Sequence, residues 1–280
     1  MLSKSVGLVV RYDRATALKL ADELADFLRA KGLKVFFEET LKGRVKTTEG
    51  FASLNTMKTD FVITIGGDGT ILRACVSLPK PEPPILAVNM GVRGFLTEVE
   101  PKGVYEAVEK VLKGEFKIEK CAKLAVCADG VTLPDALNDV VITTGEPSKI
   151  LYAKIFKDAK LILECEADGV IMSTQTGSTG YSLSAGGPVL DPNVDAFILT
   201  PICSLTVFRS LIFPASSEVT IEGTRPKRLL VLIDGNYRQP VMSAQPRVTV
   251  TRSKNITSFI RFKENFYHRL RSRLLFKGMG

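Results

Sequence analysis

Residues 60–72, Asp-Phe-Val-Ile-Thr-Ile-Gly-Gly-Asp-Gly-Thr-Ile-Leu, constrain this chain more than any other stretch. The run 61–65 is apolar and β-branched with no polar face, which reads as a strand buried on both sides, as in a parallel sheet. Gly66-Gly67-Asp68-Gly69 breaks it, and Thr70 leads into an apolar segment of helical character. A strand feeding a glycine turn feeding a helix builds a phosphate site, because glycine admits close backbone approach and the amides of the turn point at an anion. Asp68 is the unusual member. A carboxylate repels phosphate, so it belongs in such a turn only if it works with a metal or takes a proton. Gly and Asp also make ordinary tight turns. The buried strand in front, and the Gly-, Ser- and Thr-rich segments further on, favour a functional loop.

At 280 residues, 45% of them hydrophobic, the chain has material for one large or two moderate domains with a full core. No run of 18 apolar residues is present, which argues against a membrane span. Met1-Leu2-Ser3-Lys4 leads straight into an apolar strand, without the pattern of a signal peptide. Five scattered cysteines with no Cys-x-x-Cys pair read as thiols of a reducing cytoplasm, with no zinc site or disulfide framework. The single histidine, His268, sits in a charged helical pattern and reads as helix surface. The net charge of +8 suits a polyanionic partner, but the basic residues are spread out. That spread favours a protein handling several phosphates over a nucleic-acid binder.

A β-α-β opening (strand 5–10, helix 14–31, strand 33–37) predicts a parallel sheet with a right-handed crossover. Residues 40–58 are mixed and polar without clean periodicity and include a loop near the site, and the proline-rich 77–84 reads as a loop. Strand 85–89 ends in a second glycine loop, 91–97. Both glycine loops thus fall at the carboxyl ends of strands, where open parallel sheets bind ligands. Helix 101–113 ends at Gly114. From there the segments are short and β-rich: 116–128, 131–134, 137–144, 150–157, 160–166, 169–173, 196–200, 206–213, 218–223, 228–233 and 246–252. Residues 259–262 and a basic amphipathic helix, about 264–276 with Phe266, Leu270 and Leu274 on its apolar face, finish the chain. The expected division is an α/β domain of residues 1–114 and 253–280, and a β-rich domain of residues 115–252.

Two more segments carry chemistry. Asn138-Asp139 runs into an apolar strand. Residues 168–188 combine glycines, small hydroxyls and Tyr181 after an apolar strand, which a flexible linker would lack. Hydroxyls and amides suit sugar and phosphate groups, and Tyr181 offers a flat face for a ring. No Walker A pattern occurs, and no G-x-G-x-x-G follows a strand, which disfavours an ordinary P-loop enzyme or Rossmann dehydrogenase.

Gly66-Gly67-Asp68-Gly69-Thr70, Gly94-Phe95-Leu96-Thr97, Asn138-Asp139, Asp168-Gly169, Ser173-Thr174, Thr176-Gly177-Ser178-Thr179, Tyr181 through Pro188 and Thr200-Pro201-Ile202 resemble, in order, the motif set of NAD kinases. Phe266-Tyr267-His268-Arg269-Leu270-Arg271 is similar to that family's last helix. The resemblance implies a Rossmann-like α/β domain completed by the C-terminal tail, an all-β (β-sandwich) domain, and a site in the cleft. It implies transfer of the γ-phosphoryl of ATP to the 2′-hydroxyl of the adenosine ribose of NAD, with a divalent metal (Mg²⁺ or Mn²⁺), in a cytoplasmic homodimer or homotetramer. Asp68 would accept the hydroxyl proton, as a poor nucleophile requires. Gly66, Gly67, Gly69 and Thr70 would hold phosphates. Arg93 either meets a phosphate or is solvated surface. Phe95, Asn138, Asp139, Asp168, Ser178, Thr179, Tyr181, Ser184 and Asp234 would bind the dinucleotide. No protein side chain is expected to ligate the metal directly.

The chain departs from the family pattern at Gln175, where Pro is usual, and at Gly180, where Ala is usual. It also lacks the Pro-His that often follows the segment at 200–203. Alternative readings are a related kinase acting on a lipid or sugar hydroxyl, or a non-catalytic dinucleotide-binding protein.

Overall fold

The computed structural model describes residues 4–91, 94–146, 149–263 and 266–271. The chain divides into two compact units, Met1–Cys121 with Thr257–Gly280, and Ala122–Ile256.

The first unit opens with β1 (Ser5–Val10), α1 (Ala15–Ala30) and β2 (Lys34–Glu38), followed by the short β3 (Phe51–Ala52). Next come β4 (Phe61–Gly66), α2 (Asp68–Ser77), β5 (Ile85–Asn89) and α3 (Val104–Lys113). The strands pair in parallel in the order β5-β4-β1-β2-β3. Every residue of β4 is buried, as its unbroken apolar run requires. Leu20, Leu24 and Leu28 of α1 and Val104 and Val108 of α3 close over Leu8, Ile63, Ile65 and Val88. The β1-α1-β2 crossover and the positions of β4 and β5 agree with the sequence. Residues 101–103 form a 3-10 turn ahead of α3, which stops at Gly114 in the left-handed region (φ 76°).

β6 (Lys117–Ala128) leads into the second unit. That unit holds β7 (Val131–Ala136), β8 (Asp139–Thr143), β9 (Leu151–Lys157), β10 (Lys160–Ala167) and β11 (Gly169–Ser173). The one-turn α4 (Tyr181–Ser184) precedes β12 (Ala196–Ile202), β13 (Leu211–Pro214), β14 (Val219–Arg225), β15 (Arg228–Ile233) and β16 (Tyr237–Met242). β17 (Arg247–Arg261) then returns the chain to the first unit, where Phe259 pairs with Ile85, and α5 (Phe266–Leu270) follows. One antiparallel sheet runs β13-β12-β11-β8-β15-β16, and a second set pairs as β10-β9-β14-β17 with β6 and β7 alongside. All of β11 is buried, because α4 and the turn before it lie on the strand.

Three expectations are corrected. β16 was not anticipated: Tyr-Arg-Gln-Pro-Val-Met is half polar and contains Pro240, which an edge strand tolerates. The segments 246–252 and 259–262 are one continuous strand. Its polar middle is satisfied rather than looped, since Ser253 Oγ and Asn255 Nδ2 donate to Asp135 Oδ2 at 2.8 and 2.7 Å. The strand expected at 206–213 is confined to Leu211–Pro214. Of the final helix, Phe266–Leu270 is described and Leu274 lies outside the described residues. Among the described residues no helix is long and apolar enough to cross a membrane.

Candidate active site

In the first unit, β4 ends at Gly66 and α2 begins two residues later at Asp68. Gly66 is obligatory: a Cβ there would lie 2.2 Å from Thr70 Oγ1, which is tucked beneath the turn. Thr70 is buried and supports the turn from below. Gly67 and Gly69 face open space. They border a pocket of about 320 Å³ that Arg11, Tyr12, Asp13, Thr70 and Arg73 also line. An anion entering it meets the start of a ten-residue helix and two guanidinium groups.

Buried Glu38 holds the wall of this pocket. Its carboxylate takes both terminal nitrogens of Arg73 and accepts the Val10 N–H at 3.0 Å, while Arg73 Nη2 also donates to the Val10 carbonyl at 3.2 Å. Arg73 on α2 is thereby tied to the end of β1, from which Arg11 projects. Arg11 forms a two-pronged pair with Asp13, both bonds 2.8 Å, and this pair raises the guanidinium and lowers the exposed carboxyl. The guanidinium of Arg44 lies over the Tyr12 ring at 5.2 Å. Sequence reasoning missed Arg11, Tyr12, Glu38 and Arg73. The available signal was the polar Arg-Tyr-Asp at the carboxyl end of β1.

Asp68 is half-buried, and each of its oxygens accepts a backbone N–H of the second glycine loop: Phe95 at 2.7 Å and Leu96 at 3.0 Å. The carboxylate is thus oriented by the loop, and each oxygen keeps a second lone pair for an incoming donor. Phe95 packs edge-on to Phe266 of α5, with centroids 5.6 Å apart. Arg93 falls outside the described residues.

In the second unit, Asn138 precedes β8 and Asp139 begins it, against the loop that follows β11. The Asn138 carbonyl accepts Thr174 N–H at 2.9 Å, and a Cβ at Gly177 would lie 2.0 Å from that same oxygen. The Gly180 Cα comes so close that a Cβ would sit 3.2 Å from the Gly177 carbonyl and 3.4 Å from Asn138 Nδ2, a tight fit for the more usual Ala. Gln175 donates to the Val194 carbonyl at 2.8 Å and pins the loop from outside. Asp139 is 6% exposed, and burial, reinforced by the Asp234 charge, pushes its carboxyl up to about 7. Asp234 lies at the β15–β16 turn and accepts the N–H groups of Leu137, Asn138 and Asp139 at 2.7, 2.8 and 3.0 Å. Lys123, fully buried, acts on Asp234 as a counter-charge.

The remaining candidates separate into two kinds. Tyr181 is 47% exposed and Ser184 is exposed, so both present their side chains outward from α4. Thr179, half-buried, donates to the Thr176 carbonyl at 3.1 Å. Ser178 is buried and spends its hydroxyl on the Gln175 carbonyl (2.6 Å) and Leu190 N–H (3.0 Å), which makes it part of the scaffold. Asp168 is exposed at the other end of β11 from the Ser173–Asp139 pairing, roughly 17 Å away by strand geometry. The fold does not bring Asp168 to the Asn138–Asp139 pair within this unit.

Comparison with known proteins gives a consistent result. The family model for the ATP-NAD kinase N-terminal domain matches residues 6–116, and that for the ATP-NAD kinase C-terminal domain matches residues 137–262. The chain is 37% identical over 277 residues to the NAD kinase of Methanothermobacter thermautotrophicus, covering 98% of this chain and 97% of that protein. It is 40% identical over 264 residues to the NAD kinase of Thermococcus sibiricus, covering 93% and 95%. Among solved structures it is similar to yeast NADH kinase complexed with NADH, with a TM-score of 0.88 at 25% identity, covering 99% of this chain and 90% of that one. An NAD kinase from Archaeoglobus fulgidus in complex with ATP shares the fold, with a TM-score of 0.77 at 24% identity over 96% and 99% of the two chains.

Proposed function

The chain belongs to the ATP-NAD kinase family, and on that premise we propose that it moves the γ-phosphoryl of ATP to the 2′-hydroxyl of the adenosine ribose of NAD. The observation that carries the reading is Asp68. It is a carboxylate at the first residue of an anion-binding helix, its two oxygens oriented by the amides of Phe95 and Leu96. A ribose hydroxyl is a weak nucleophile, and a positioned carboxylate lowers the barrier by accepting its proton as the oxygen attacks phosphorus. Bond formation to the 2′-oxygen and cleavage of the β–γ bridge then leave ADP, with the proton on Asp68.

The donor's phosphates would lie over Gly67 and Gly69, where the backbone is open, with Arg11 and Arg73 countering their charge. Asn138 and Asp139 would hold the dinucleotide, Tyr181 would offer its ring, and Thr179 and Ser184 would supply hydroxyls. Among the described residues no group of three or more His, Cys, Asp or Glu side chains could hold a metal ion. A Mg²⁺ or Mn²⁺ ion carried on nucleotide phosphates and water needs no such group, and would neutralise charge on those phosphates. The enzyme would work in the cytoplasm as a homo-oligomer. Exposed Leu205, Val207 and Ile212 near β13 are surface that such an assembly would cover.

Incubation of the pure protein with ATP, Mg²⁺ and NAD, with NADP read by an NADP-specific dehydrogenase, tests the reading. NADP formation that needs both ATP and metal is expected. Absence of NADP with lipid or sugar phosphorylation in its place would overturn it.

A further inference from the structure

Asn138 and Asp139 are rigid in an unusual way: every backbone polar group from Leu137 to Asp139 is already taken. Asp234 accepts the three N–H groups. The Leu137 carbonyl accepts Thr174 Oγ1 at 2.6 Å, the Asn138 carbonyl accepts Thr174 N–H, and the Asp139 carbonyl accepts Asp234 N–H at 3.0 Å. Only side chains remain to meet a ligand, and Asn138 Oδ1 is buried with no hydrogen-bond partner.

Asp234 is itself placed by force. Its backbone is left-handed (φ 49°), a conformation a non-glycine residue adopts at a cost. Gly235 follows at φ 66°, and Asn236 Nδ2 donates back to the Asp234 carbonyl at 2.7 Å. The side chain is 4% exposed and points into the Leu137–Asp139 amides. Resting on the reading that Asn138 and Asp139 hold the dinucleotide, we propose that Asp234 is a positioning residue. Its carboxylate fixes the backbone that aims those two side chains, and it makes no contact with the dinucleotide itself.

The charge of Asp234 has a second effect through the same contact. The charged group that acts on Asp139 is Asp234, and the one that acts on Asp234 is Lys123. Burial pushes Asp234 up, against the pull of its three amide donors and Lys123. Asp139, buried and with Asp234 facing it, holds its proton to about pH 7. Near neutrality Asp139 therefore alternates between a donor and an acceptor, and the Asp234 charge adds to burial in setting where that change falls.

The test is Asp234→Asn in the full chain, alone and combined with Asn138→Ala, by steady-state kinetics from pH 5.5 to 8.5. Asn keeps one acceptor oxygen but puts an NH₂ group against a backbone N–H. The KM for NAD should rise about tenfold through misaimed side chains, while the KM for ATP stays within about twofold. The pH dependence of the KM for NAD should move to lower pH. On the Asn138→Ala background the penalty should shrink to about half or less in free-energy terms, because one of the two positioned side chains is gone. A full, independent penalty in the double variant would mean that Asp234 touches the substrate, and an unchanged KM with an unmoved profile would mean that it positions nothing. Should Asp234→Asn fail to fold, Asp234→Glu keeps the charge but shifts it off the three amides, and it is read by the same rise in the KM for NAD against an unmoved KM for ATP, an unchanged KM for NAD overturning the proposal. Failure of the functional reading shows separately, as a wild-type protein that forms no NADP. A wild type that also fails to bind NAD by calorimetry overturns both.

Discussion

Replacing Asp139 with Asn should stabilise the protein at alkaline pH while impairing it as an enzyme. A carboxyl that titrates at about 7 in the folded chain and near 3.8 when unfolded penalises the native state once it must ionise. Between those two values the native state keeps a proton that the unfolded chain has lost. Stability therefore falls as pH rises through the window from 4 to 7, and stays reduced above it. At 1.36 kcal/mol per pH unit the full cost is about 4 kcal/mol. Asparagine has nearly the same shape, never ionises, and relieves the repulsion from Asp234. The gain in Asp139→Asn should be near zero at pH 3, grow through pH 6, and approach that limit at pH 8. In a chain of this size it would raise the melting temperature by up to ~10 °C. Calorimetric melting of both proteins across that pH range measures it, and the KM for NAD should rise in parallel. A difference that is flat from pH 5 to 8 would show that Asp139 ionises freely in the fold and that the burial argument is wrong.

Other substitutions probe other parts of the site. Asp68→Asn removes the proton acceptor and one of the two amide bonds to the 95–96 loop. The chain should still fold and bind NAD, but turnover should drop about a hundredfold or more, and a near-wild-type rate would remove Asp68 from the chemistry. Glu38→Gln leaves the Arg73 charge without its buried partner. It should cost about 3 kcal/mol of stability and raise the KM for ATP but not for NAD, and a matched rise in both constants would count against a donor-side role for this wall. Gly177→Ala forces a methyl group to within 2.0 Å of the Asn138 carbonyl. Both melting temperature and NAD affinity should fall, whereas wild-type affinity would show that the 174–180 loop moves without consequence for the pair.

Local features could be read from the residues, and contacts between distant segments could not. The β4–turn–α2 unit is legible because burial, glycine flexibility and helix initiation are all encoded within 13 adjacent positions. The loop at 168–188 could be recognised as functional, but its hydroxyls could not be sorted. Ser178 and Ser182 look like Thr179 and Ser184 in the sequence, yet Ser182 Oγ is spent on Thr200 Oγ1 at 2.8 Å and Ser178 on backbone. Asp234 reaches across 95 to 97 positions to its amide partners, and no local pattern marks that span. The Glu38–Arg73 wall joins three segments in the same way. The polar interior of β17 was misread because Asp135, which satisfies it, lies 118 residues earlier.

The return of β17 to the first unit bears on how the chain can be made. Glu98 carries a side chain only 3% exposed. It accepts the Phe262 N–H at 2.9 Å, pairs with Arg261 at 3.2 Å, and has Arg269 at 4.0 Å. Arg261 also pairs with Glu119 at 2.5 Å. On a ribosome, the β-rich unit is fully synthesised before any of those cations exists. The second unit can reach its final contacts first, while the nascent α/β unit waits with a carboxylate that burial would strand. The amino-terminal unit therefore cannot pair buried Glu98 with its cations until the end of the chain is made, and a ribosome stalled before Arg261 should hold that unit in a protease-sensitive form.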